Sequence, residues 1–254
     1  MSDRTCMSHW WPLLKEVPGI NVPETRLTTF DGDTKDFFDW YEGRGRTETL
    51  QAFLERLQDL GQEVGYPCFL RTGHTSGKHG WDNCCHVPSL SVLPKHVCAI
   101  FEFGEMAQVE GLPVNVWAVR ELLLTEPYFH IKRFGNMPLC RERRYFIENG
   151  KVVSHVPYWP YEAIGGSNED DDGPYRQWCQ RDLPANWREL LTQANAEDEA
   201  EVALLTDLSE RVSERIEGAW SLDWLWTAHG WYAIDMAEAH KSWACPESLR
   251  RSDR

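Results

Sequence analysis

The sequence predicts an α+β fold in which antiparallel hairpins pack against amphipathic helices. Two hairpins are indicated, one at Asn149-Gly150 between alternating segments and one in the aromatic-rich segment 220–238. Two further segments, 47–61 and 202–216, carry apolar residues at helical spacings of three and four. Together these hairpins and helices favour the α+β class.

Composition limits the possible functions. The chain has 254 residues, 42% of them hydrophobic, which is enough for one large domain or two small ones. No run approaches the roughly 20 apolar residues of a membrane helix, and the N-terminus carries no signal-peptide pattern, so a cytoplasmic protein without a membrane partner is expected. The formal net charge of −14 argues against nucleic acid as a partner.

The eight cysteines include no CxxC pair and are expected to be reduced thiols. One cluster contains the residue types that bind zinc, although adjacent cysteines chelate poorly and the spacing matches no zinc module. A structural metal there is one alternative hypothesis. The cluster consists of His74, His79, Cys84, Cys85 and His86.

The N-terminal part of the chain is predicted to begin with a short helix and an extended segment. Residues 31–47 are rich in Gly and Asp and are predicted to form a loop. Thr47 then has the hydroxyl of a helix cap, and the apolar spacing that follows predicts a helix that Gly61 ends. This helix is expected to be scaffold.

Further helices are predicted later in the chain. Residues 94–112 are mostly helical in pattern, and residues 184–217 are predicted to form two helices. The polar residues 247–254 are expected to fray. The second helix of 184–217 has an apolar stripe that faces the core, formed by Val202, Leu205, Leu208, Val212 and Ile216.

A strand followed by a glycine-rich loop is the first candidate binding feature. The strand ends near Arg71, and the loop that follows contains Ser76 and Lys78 between glycines. Glycines let backbone amides approach a phosphate, hydroxyl groups add donors, and a lysine supplies charge. The Walker A spacing is absent. An ordinary solvated turn is the alternative interpretation.

The segment VNVWAVRELL is predicted to be a buried strand with Arg120 and Glu121 at its end. An acidic residue and free backbone groups that leave a strand are able to receive the edge of an adenine ring. A structural ion pair is an equally consistent interpretation.

The hairpin at Asn149-Gly150 is predicted to have a type I′ turn. Counting from the turn places Glu148 opposite Lys151, Phe146 opposite Val153, and Arg144 opposite His155. Basic side chains then lie on both faces, which suits a ribbon beside an anionic ligand because arginine matches phosphate oxygens. A solvated ribbon with cross-strand ion pairs is the alternative. The face predicted to meet the ligand carries Glu142, Arg144, Phe146 and His155.

The aromatic segment 220–238 is predicted to be a hairpin whose three-residue loop ends at Gly230. This register places Asp223 directly opposite Asp235, with Cβ atoms ~5 Å apart, where like charges destabilise a sheet. A divalent cation between the two carboxylates would compensate, because Mg²⁺ is held by one or two carboxylates plus phosphates. A four-residue loop would instead place the acids on opposite faces, as in a solvated hairpin with two unrelated acids.

These features occur in an order that resembles the ATP-grasp superfamily: basic strand, Gly/Ser/Lys loop, strand ending in an acid, basic hairpin, long helix, and a hairpin with spaced acids. The resemblance covers roughly residues 64 to 240, and the preceding GINVPETRL looks like the segment that often precedes this fold. It resembles in particular a compact branch that includes phage-encoded ATP-grasp proteins and the eukaryotic cell-division-cycle proteins that assemble a translation initiation factor.

The resemblance implies two small α+β subdomains, with antiparallel sheets, that clamp a nucleotide. The implied boundaries are an N-terminal segment at 1–63, a small subdomain at 64–122, a large subdomain at 123–243 and a tail at 244–254. It also implies a cytoplasmic location, which would be a host cytoplasm for a phage-encoded protein.

Roles in nucleotide binding follow from the same resemblance. Arg71 stands where the family usually has a strand lysine that contacts ATP phosphates. Lys78, near Ser76, is similar to a second lysine in the loop that covers the nucleotide. Glu121 and the backbone of the next two residues, Leu122 and Leu123, match the segment that receives adenine.

The later motifs imply the catalytic and metal positions. RERRYF looks like the family's REFRVF strand, so Glu142 and Arg144 would face the nucleotide, with Arg144 on the γ-phosphate and Lys78 as its catalytic partner. Asp223 and Asp235 match the two acidic magnesium positions. The family often completes this site with an asparagine where this chain has alanine at position 237, and Glu238 or a water would substitute.

The implied activity is ATP- and Mg²⁺-dependent ligation. ATP would phosphorylate a substrate carboxylate, and an amine or similar nucleophile would displace the acyl phosphate. The substrate would be a small molecule or a peptide. The alternative is an ATP-binding assembly factor that acts on a protein partner without ligase chemistry, because function depends on the site and not on the fold.

Overall fold

A computed structural model describes residues 3–106, 112–166 and 174–250 of the chain. The helices are α1 Met7–Leu14, α2 Thr34–Tyr41, α3 Glu48–Val64, α4 Leu93–Met106, α5 Tyr161–Gly165, α6 Pro174–Gln180, α7 Trp187–Asn195 and α8 Glu199–Ser213. The strands are β1 Thr25–Thr29, β2 Cys68–Thr72, β3 His86–Val87, β4 Val116–Glu121, β5 Phe129–Ile131, β6 Met137–Leu139, β7 Glu142–Glu148, β8 Lys151–Pro157, β9 Trp220–Thr227 and β10 Gly230–Glu238.

The strands form two four-stranded antiparallel sheets and one short two-stranded ribbon. The first sheet has the order β1-β4-β2-β3, the second has the order β10-β9-β7-β8, and β5 pairs with β6. The predicted α+β class with antiparallel sheets is confirmed. None of the helices in the described ranges has the length and apolar character needed to cross a membrane.

Three large apolar cores and a smaller fourth one support the sheets. The first lies between the first sheet and helices α2, α3 and α4, the second packs α1 and α8 against the second sheet, and the third packs the β5-β6 ribbon against α7. Ala118 of β4 belongs to the second core, whereas its neighbours Trp117 and Val119 belong to the first. Because side chains alternate along a strand, the first sheet presents one face to its own helices and the other toward the second sheet.

Helix α2 corrects the loop prediction for residues 31–47. The Asp33 side chain accepts a hydrogen bond from the backbone N–H of Lys35 and so caps the helix. Phe37 is buried and stacks on Phe101, with ring centroids 4.5 Å apart. Residues distant in sequence therefore stabilise a segment whose own composition favours a loop.

Helix α3 confirms the predicted cap but not the predicted end. The Thr47 hydroxyl accepts from the N–H of Leu50, as expected. The helix continues through Gly61 to Val64, and Gly65, with φ of +96°, ends it. A Cβ atom at position 61 would lie 2.7 Å from Cζ of Tyr66. Glycine is therefore required at position 61 by close packing and not by helix termination.

We expect Gly61→Ala to lower the free energy of unfolding by about 1 to 2 kcal/mol, because the added methyl group overpacks the contact with Tyr66 at a cost of up to about 3 kcal/mol. This cost outweighs the higher helix propensity of alanine, which is worth about 1 kcal/mol. Urea unfolding measures the change. Gln51→Ala, at an exposed position of the same helix, should change stability by less than about 0.5 kcal/mol. Equal stability of the two variants would contradict the packing role.

The remaining helix predictions are largely confirmed. Helix α4 spans Leu93–Met106, where the sequence predicts a mostly helical segment over 94–112, and residues 107–111 lie outside the described part of the chain. In the predicted stripe of α8, Leu205 and Val212 are fully buried. The predicted fraying of 247–254 is wrong for its first residues, because Leu249 packs in a small core with Phe146. Residues 251–254 are outside the described ranges.

The hairpin at Asn149-Gly150 has the predicted turn but a different register. Both turn residues have positive φ, as a type I′ turn requires, and Glu148 pairs with Lys151. A β-bulge then leaves Val153 of β8 unpaired between the pairs formed by Ile147 and Phe146, so His155 pairs with Tyr145 and not with Arg144.

This shift moves His155 off the predicted ligand-facing side of the hairpin. The His155 ring stacks on Tyr145, with ring centroids 5.0 Å apart. Counting cross-strand pairs from the turn does not predict the extra residue of the bulge, because a β-bulge depends on how the strand bends over the core.

Candidate functional site

A cavity of about 330 Å³ is lined by residues of both four-stranded sheets, the segment after β4 and the β5-β6 ribbon. Its volume lies in the range of small-molecule sites. Its apolar wall includes Phe69, Trp81, Met137 and Leu225. Nine residues predicted from the sequence line this one cavity: Arg71, Ser76, Lys78, Glu121, Leu122, Leu123, Glu142, Asp223 and Asp235. The other two, Arg144 and Glu238, are not among its lining residues.

Asp223 and Asp235 are paired directly across β9 and β10, as predicted. The route to this register differs from the prediction, because Gly230 pairs with Thr227 and the turn has two residues. A β-bulge at Ile234 inserts one residue and restores the opposition of the two acids. The shorter turn and the bulge shift the register by one residue in opposite directions, so the two acids are opposed as predicted.

Asp223 is held by Arg144 on the neighbouring strand β7. The Nε and Nη2 atoms of Arg144 donate to Oδ1 and Oδ2 of Asp223 at 2.7 and 2.8 Å. Both side chains are less than a tenth exposed, and the guanidinium lies between Tyr158 and Trp243, 4.8 and 5.6 Å from their ring centroids. Asp223 raises the pKa of Arg144 against the opposing effect of burial. Arg144 therefore fixes the orientation of one carboxylate at the cavity.

Asp235 is held from the first sheet. Nη1 of Arg71 donates to Oδ1 of Asp235 at 2.8 Å, and Nε of Arg71 donates to the carbonyl oxygen of Thr72 at 3.0 Å. Arg71 is buried, whereas the Asp235 side chain is one-third exposed. This ion pair joins the two sheets at the cavity wall.

Lys78 is enclosed by an acidic and two aromatic side chains. Its Nζ lies 3.1 Å from Oε2 of Glu142, 3.9 Å from the ring centroid of Tyr158 and 4.6 Å from that of Trp159. Burial would lower the pKa of Lys78, but the charge of Glu142 raises it above its ordinary value. Burial raises the pKa of Glu142, and Lys78 opposes that rise. Trp159 Nε1 also donates to Oε1 of Glu142 at 3.1 Å.

The segment after β4 exposes free backbone groups to the cavity. The side chain of Glu121 accepts from the N–H of Glu24 at 3.1 Å, and the Glu121 N–H donates to the Glu24 carbonyl at 2.8 Å. Within the described residues, the backbone groups of Leu122 and Leu123 make no hydrogen bond, although both residues line the cavity. These backbone groups are available to a planar heterocycle.

Sequence reasoning missed several residues at the site. Tyr158 lines the cavity and contacts Lys78, but it lies just beyond the hairpin and no motif marks it. Arg120 was recognised only as the end of a strand, yet it lines the cavity with Arg71. The pairing of Arg120 with Phe69, which lies two residues before Arg71 on β2, puts all three on one sheet face. Strand alternation was the signal available for Arg120.

The third predicted metal ligand does not join the other two. Glu238 lies three residues after Asp235 in a regular part of β10, so its side chain leaves the opposite face. It contacts Lys241 at 3.2 Å and Thr5 at 3.3 Å. In ranges 3–106, 112–166 and 174–250, no group of three or more His, Cys, Asp or Glu is placed to hold a metal ion.

The histidine and cysteine cluster is dispersed in the fold. His74 contacts Asp3, His79 stacks on Phe134, and His86 contacts Asp82. Cys84 and Cys85 are buried free thiols. The zinc hypothesis has no geometric support in the described part of the chain.

The carboxylates at the cavity are of the ligand type that Mg²⁺ prefers, although each of the two opposed acids also accepts hydrogen bonds from an arginine. Asp223 and Asp235 are directly opposed, and Glu142 lines the same cavity. Mg²⁺ is usually held by one or two carboxylates together with substrate phosphates and waters, so a third protein ligand is not required.

Comparison with known proteins supports the fold. No protein-family model matches the chain, and no curated protein matches its sequence. C-terminally truncated Cdc123 from Schizosaccharomyces pombe aligns with a TM-score of 0.55 and 10% identity over 93% of this chain and 84% of that one. A second structure of Cdc123 from the same organism gives a TM-score of 0.51 and 10% identity over 93% and 83%.

A RimK domain ATP-grasp protein from Sphaerobacter thermophilus aligns less closely, with a TM-score of 0.44 and 15% identity over 92% of this chain and 58% of that one. The alignments with Cdc123 confirm the predicted ATP-grasp-like fold, and at 10% identity they show the fold alone.

Proposed function

We propose that this chain binds ATP with Mg²⁺ in the cavity and uses it to activate a substrate carboxylate for attack by an amine or similar nucleophile. The observation that carries the proposal is the placement of nine predicted site residues, from segments 71–78, 121–123, 142 and 223–235, around one cavity. The substrate would be a small molecule or a peptide.

The two ends of ATP would meet different parts of the cavity lining. The free backbone groups of Leu122 and Leu123 would hydrogen-bond the adenine edge, and the apolar wall at Phe69 and Met137 would cover the ring. Arg71 and Lys78 would neutralise phosphate charge, since preorganised cations are the main contribution of a protein to phosphoryl transfer.

Asp223 and Asp235 would hold the magnesium ion. When bound, the ion would bridge phosphate oxygens and neutralise their charge. Arg144 was predicted from the sequence to contact the γ-phosphate. Because two of its nitrogens already donate to Asp223, we assign it instead to positioning that carboxylate. The aromatic rings beside Arg144 would keep this pair in place.

The second candidate is an ATP-binding assembly factor that acts on a protein partner without ligase chemistry. The position of Glu238 favours this second candidate. Glu238 was expected to complete the metal site with Asp223 and Asp235, but it forms an ion pair with Lys241 instead. A site with two carboxylates would hold Mg²⁺·ATP but orient it less firmly for transfer.

ADP release separates the two candidates. The purified chain with Mg²⁺·ATP would be incubated alone, with mixed carboxylates, with mixed amines and with both together. A ligase should release ADP over repeated turnovers only when both a carboxylate and an amine are present. An assembly factor should bind ATP, and any ADP that it releases should not depend on either addition. Lys78→Met should abolish the signal, and Lys151→Met, an exposed lysine paired with Glu210, should preserve it. Absence of ATP binding by the unmodified chain would reject both candidates.

A further inference from the structure

Arg120 of β4 is a buried arginine that lines the cavity and retains an unused donor. Its side chain is 4% exposed. Nε donates to Oγ1 of Thr25 at 3.1 Å, and Nη1 donates to the carbonyl oxygen of Ile234 at 2.7 Å. Nη2 is buried and has no hydrogen-bond partner in the part of the chain that the structure describes. Most buried polar groups are hydrogen-bonded, so this donor calls for an explanation.

Arg120 is also a cation at the cavity that no described carboxylate contacts directly. Lys78 pairs with Glu142, Arg144 with Asp223, and Arg71 with Asp235. Arg120 forms no ion pair among the described residues, and its two acceptors are neutral oxygens. Burial and the charge of Arg71 lower its pKa, and the charge of Asp235, which is not in ion-pair contact, opposes this effect; a guanidinium stays protonated in proteins. A buried charge without a counter-ion is costly.

A purely structural role explains only part of this arrangement. The bond to Ile234, at the bulge of β10, joins the two sheets, and the Trp11 ring lies 5.3 Å from the guanidinium carbon. A neutral donor would serve that purpose without a buried charge. The structural role does not account for the unused Nη2 of Arg120. Arg71, which lines the same cavity, makes its hydrogen bonds through Nε and Nη1.

We propose that Arg120 and Arg71 together form an oxyanion subsite at the first-sheet wall of the cavity. The ligand would be a phosphate oxygen of the bound nucleotide or a carboxylate of the substrate, since planar guanidinium groups match both. Nη2 of Arg120 is covered in this structure, so the side chains that cover it would move to admit the anion while the planar guanidinium keeps its bonds through Nε and Nη1. The identity of the anion rests on the proposed function, whereas the subsite itself does not.

The test compares Arg120→Met with the unmodified chain and with Arg26→Met. Arg26 lies on the adjacent strand β1 and forms surface ion pairs with Glu24 and Glu63, which makes it a matched control. Calorimetry would measure the Kd of adenosine, AMP and ADP in the presence of EDTA. Thermal unfolding would be followed with inorganic phosphate, and with succinate in the presence of ADP.

Loss of about tenfold to a hundredfold in ADP affinity with unchanged adenosine affinity, in Arg120→Met alone, would assign the subsite to phosphate. Unchanged nucleotide affinity with loss of stabilisation by succinate would assign it to a carboxylate. Equal binding of every probe by Arg120→Met and the unmodified chain would overturn the subsite. Arg120→Gln, which keeps a donor toward Ile234, replaces the methionine variant if the latter does not fold.

The two proposals fail in different ways. If the unmodified chain binds no adenosine compound but inorganic phosphate or succinate still stabilises it through Arg120, the nucleotide proposal fails and the subsite remains. If the unmodified chain binds ADP and the arginine variants bind all probes equally well, the subsite fails and the nucleotide proposal remains. If no anion affects the unmodified chain, the subsite is rejected without any variant.

Discussion

Asp223→Ala is expected to lower the free energy of unfolding by about 3 to 5 kcal/mol, because it leaves the buried Arg144 guanidinium without its carboxylate. Both partners are less than a tenth exposed, and Tyr158 and Trp243 lie over the guanidinium, so water does not readily replace the lost oxygens. Equilibrium urea unfolding, followed by far-UV circular dichroism, measures the change.

A double variant separates the loss of the pair from the loss of packing. Combining Asp223→Ala with Arg144→Met should recover much of the stability, because the unpaired buried charge is removed as well. Asp207→Asn breaks an exposed ion pair with Arg211 on α8 and should cost less than about 1 kcal/mol. A loss in the double variant as large as the sum of the single losses would contradict the ion-pair explanation.

Asp235→Asn is expected to weaken Mg²⁺-dependent binding of ATP about a hundredfold or more, which corresponds to roughly 2.7 kcal/mol. Asparagine keeps an oxygen that accepts from Arg71 and from the Met236 N–H, so the fold should be retained. The substitution removes the negative charge that faces Asp223. Calorimetry with a non-hydrolysable ATP analogue, with and without Mg²⁺, measures the effect.

The control for this prediction is the metal-free affinity. Binding of the analogue in EDTA should not fall in Asp235→Asn, because the adenine segment at Leu122 and Leu123 is untouched and Arg71, no longer neutralised by Asp235, would still attract the phosphates. Asp207→Asn, on the surface of α8, should retain the full effect of Mg²⁺. An undiminished effect of Mg²⁺ in Asp235→Asn would show that the opposed acids do not hold the metal.

Local sequence patterns predicted most elements of the fold. The Thr47 cap, the stripe of α8 and the turn at Asn149-Gly150 were all predicted because each depends on residues a few positions apart. Errors arose where a distant contact decided the outcome. By packing on Phe101, Phe37 stabilises a helix in a segment that the sequence predicts to be a loop. Gly61 lies inside a helix, where Tyr66 packs against it, and does not end that helix.

The acidic pair shows how a correct prediction depended on compensating errors. The opposition of Asp223 and Asp235 followed from a three-residue loop, whereas the structure has a two-residue turn and a bulge at Ile234. The same bulge presents the Ile234 carbonyl to Arg120. No local pattern marks a bulge whose carbonyl is satisfied by a residue 114 positions away.

The sequence by itself determined the α+β class, the order of the elements and the residue types that meet at the cavity. The tertiary structure alone decided how their charges are paired: Arg144 with Asp223 across 79 positions, Arg71 with Asp235 across 164, and Arg120 with no carboxylate in the described ranges. Turns, caps and periodicity are short-range properties of the chain. The partner of a buried charge is selected by the packing of whole sheets, because desolvation makes the cost of each charge depend on every group that surrounds it.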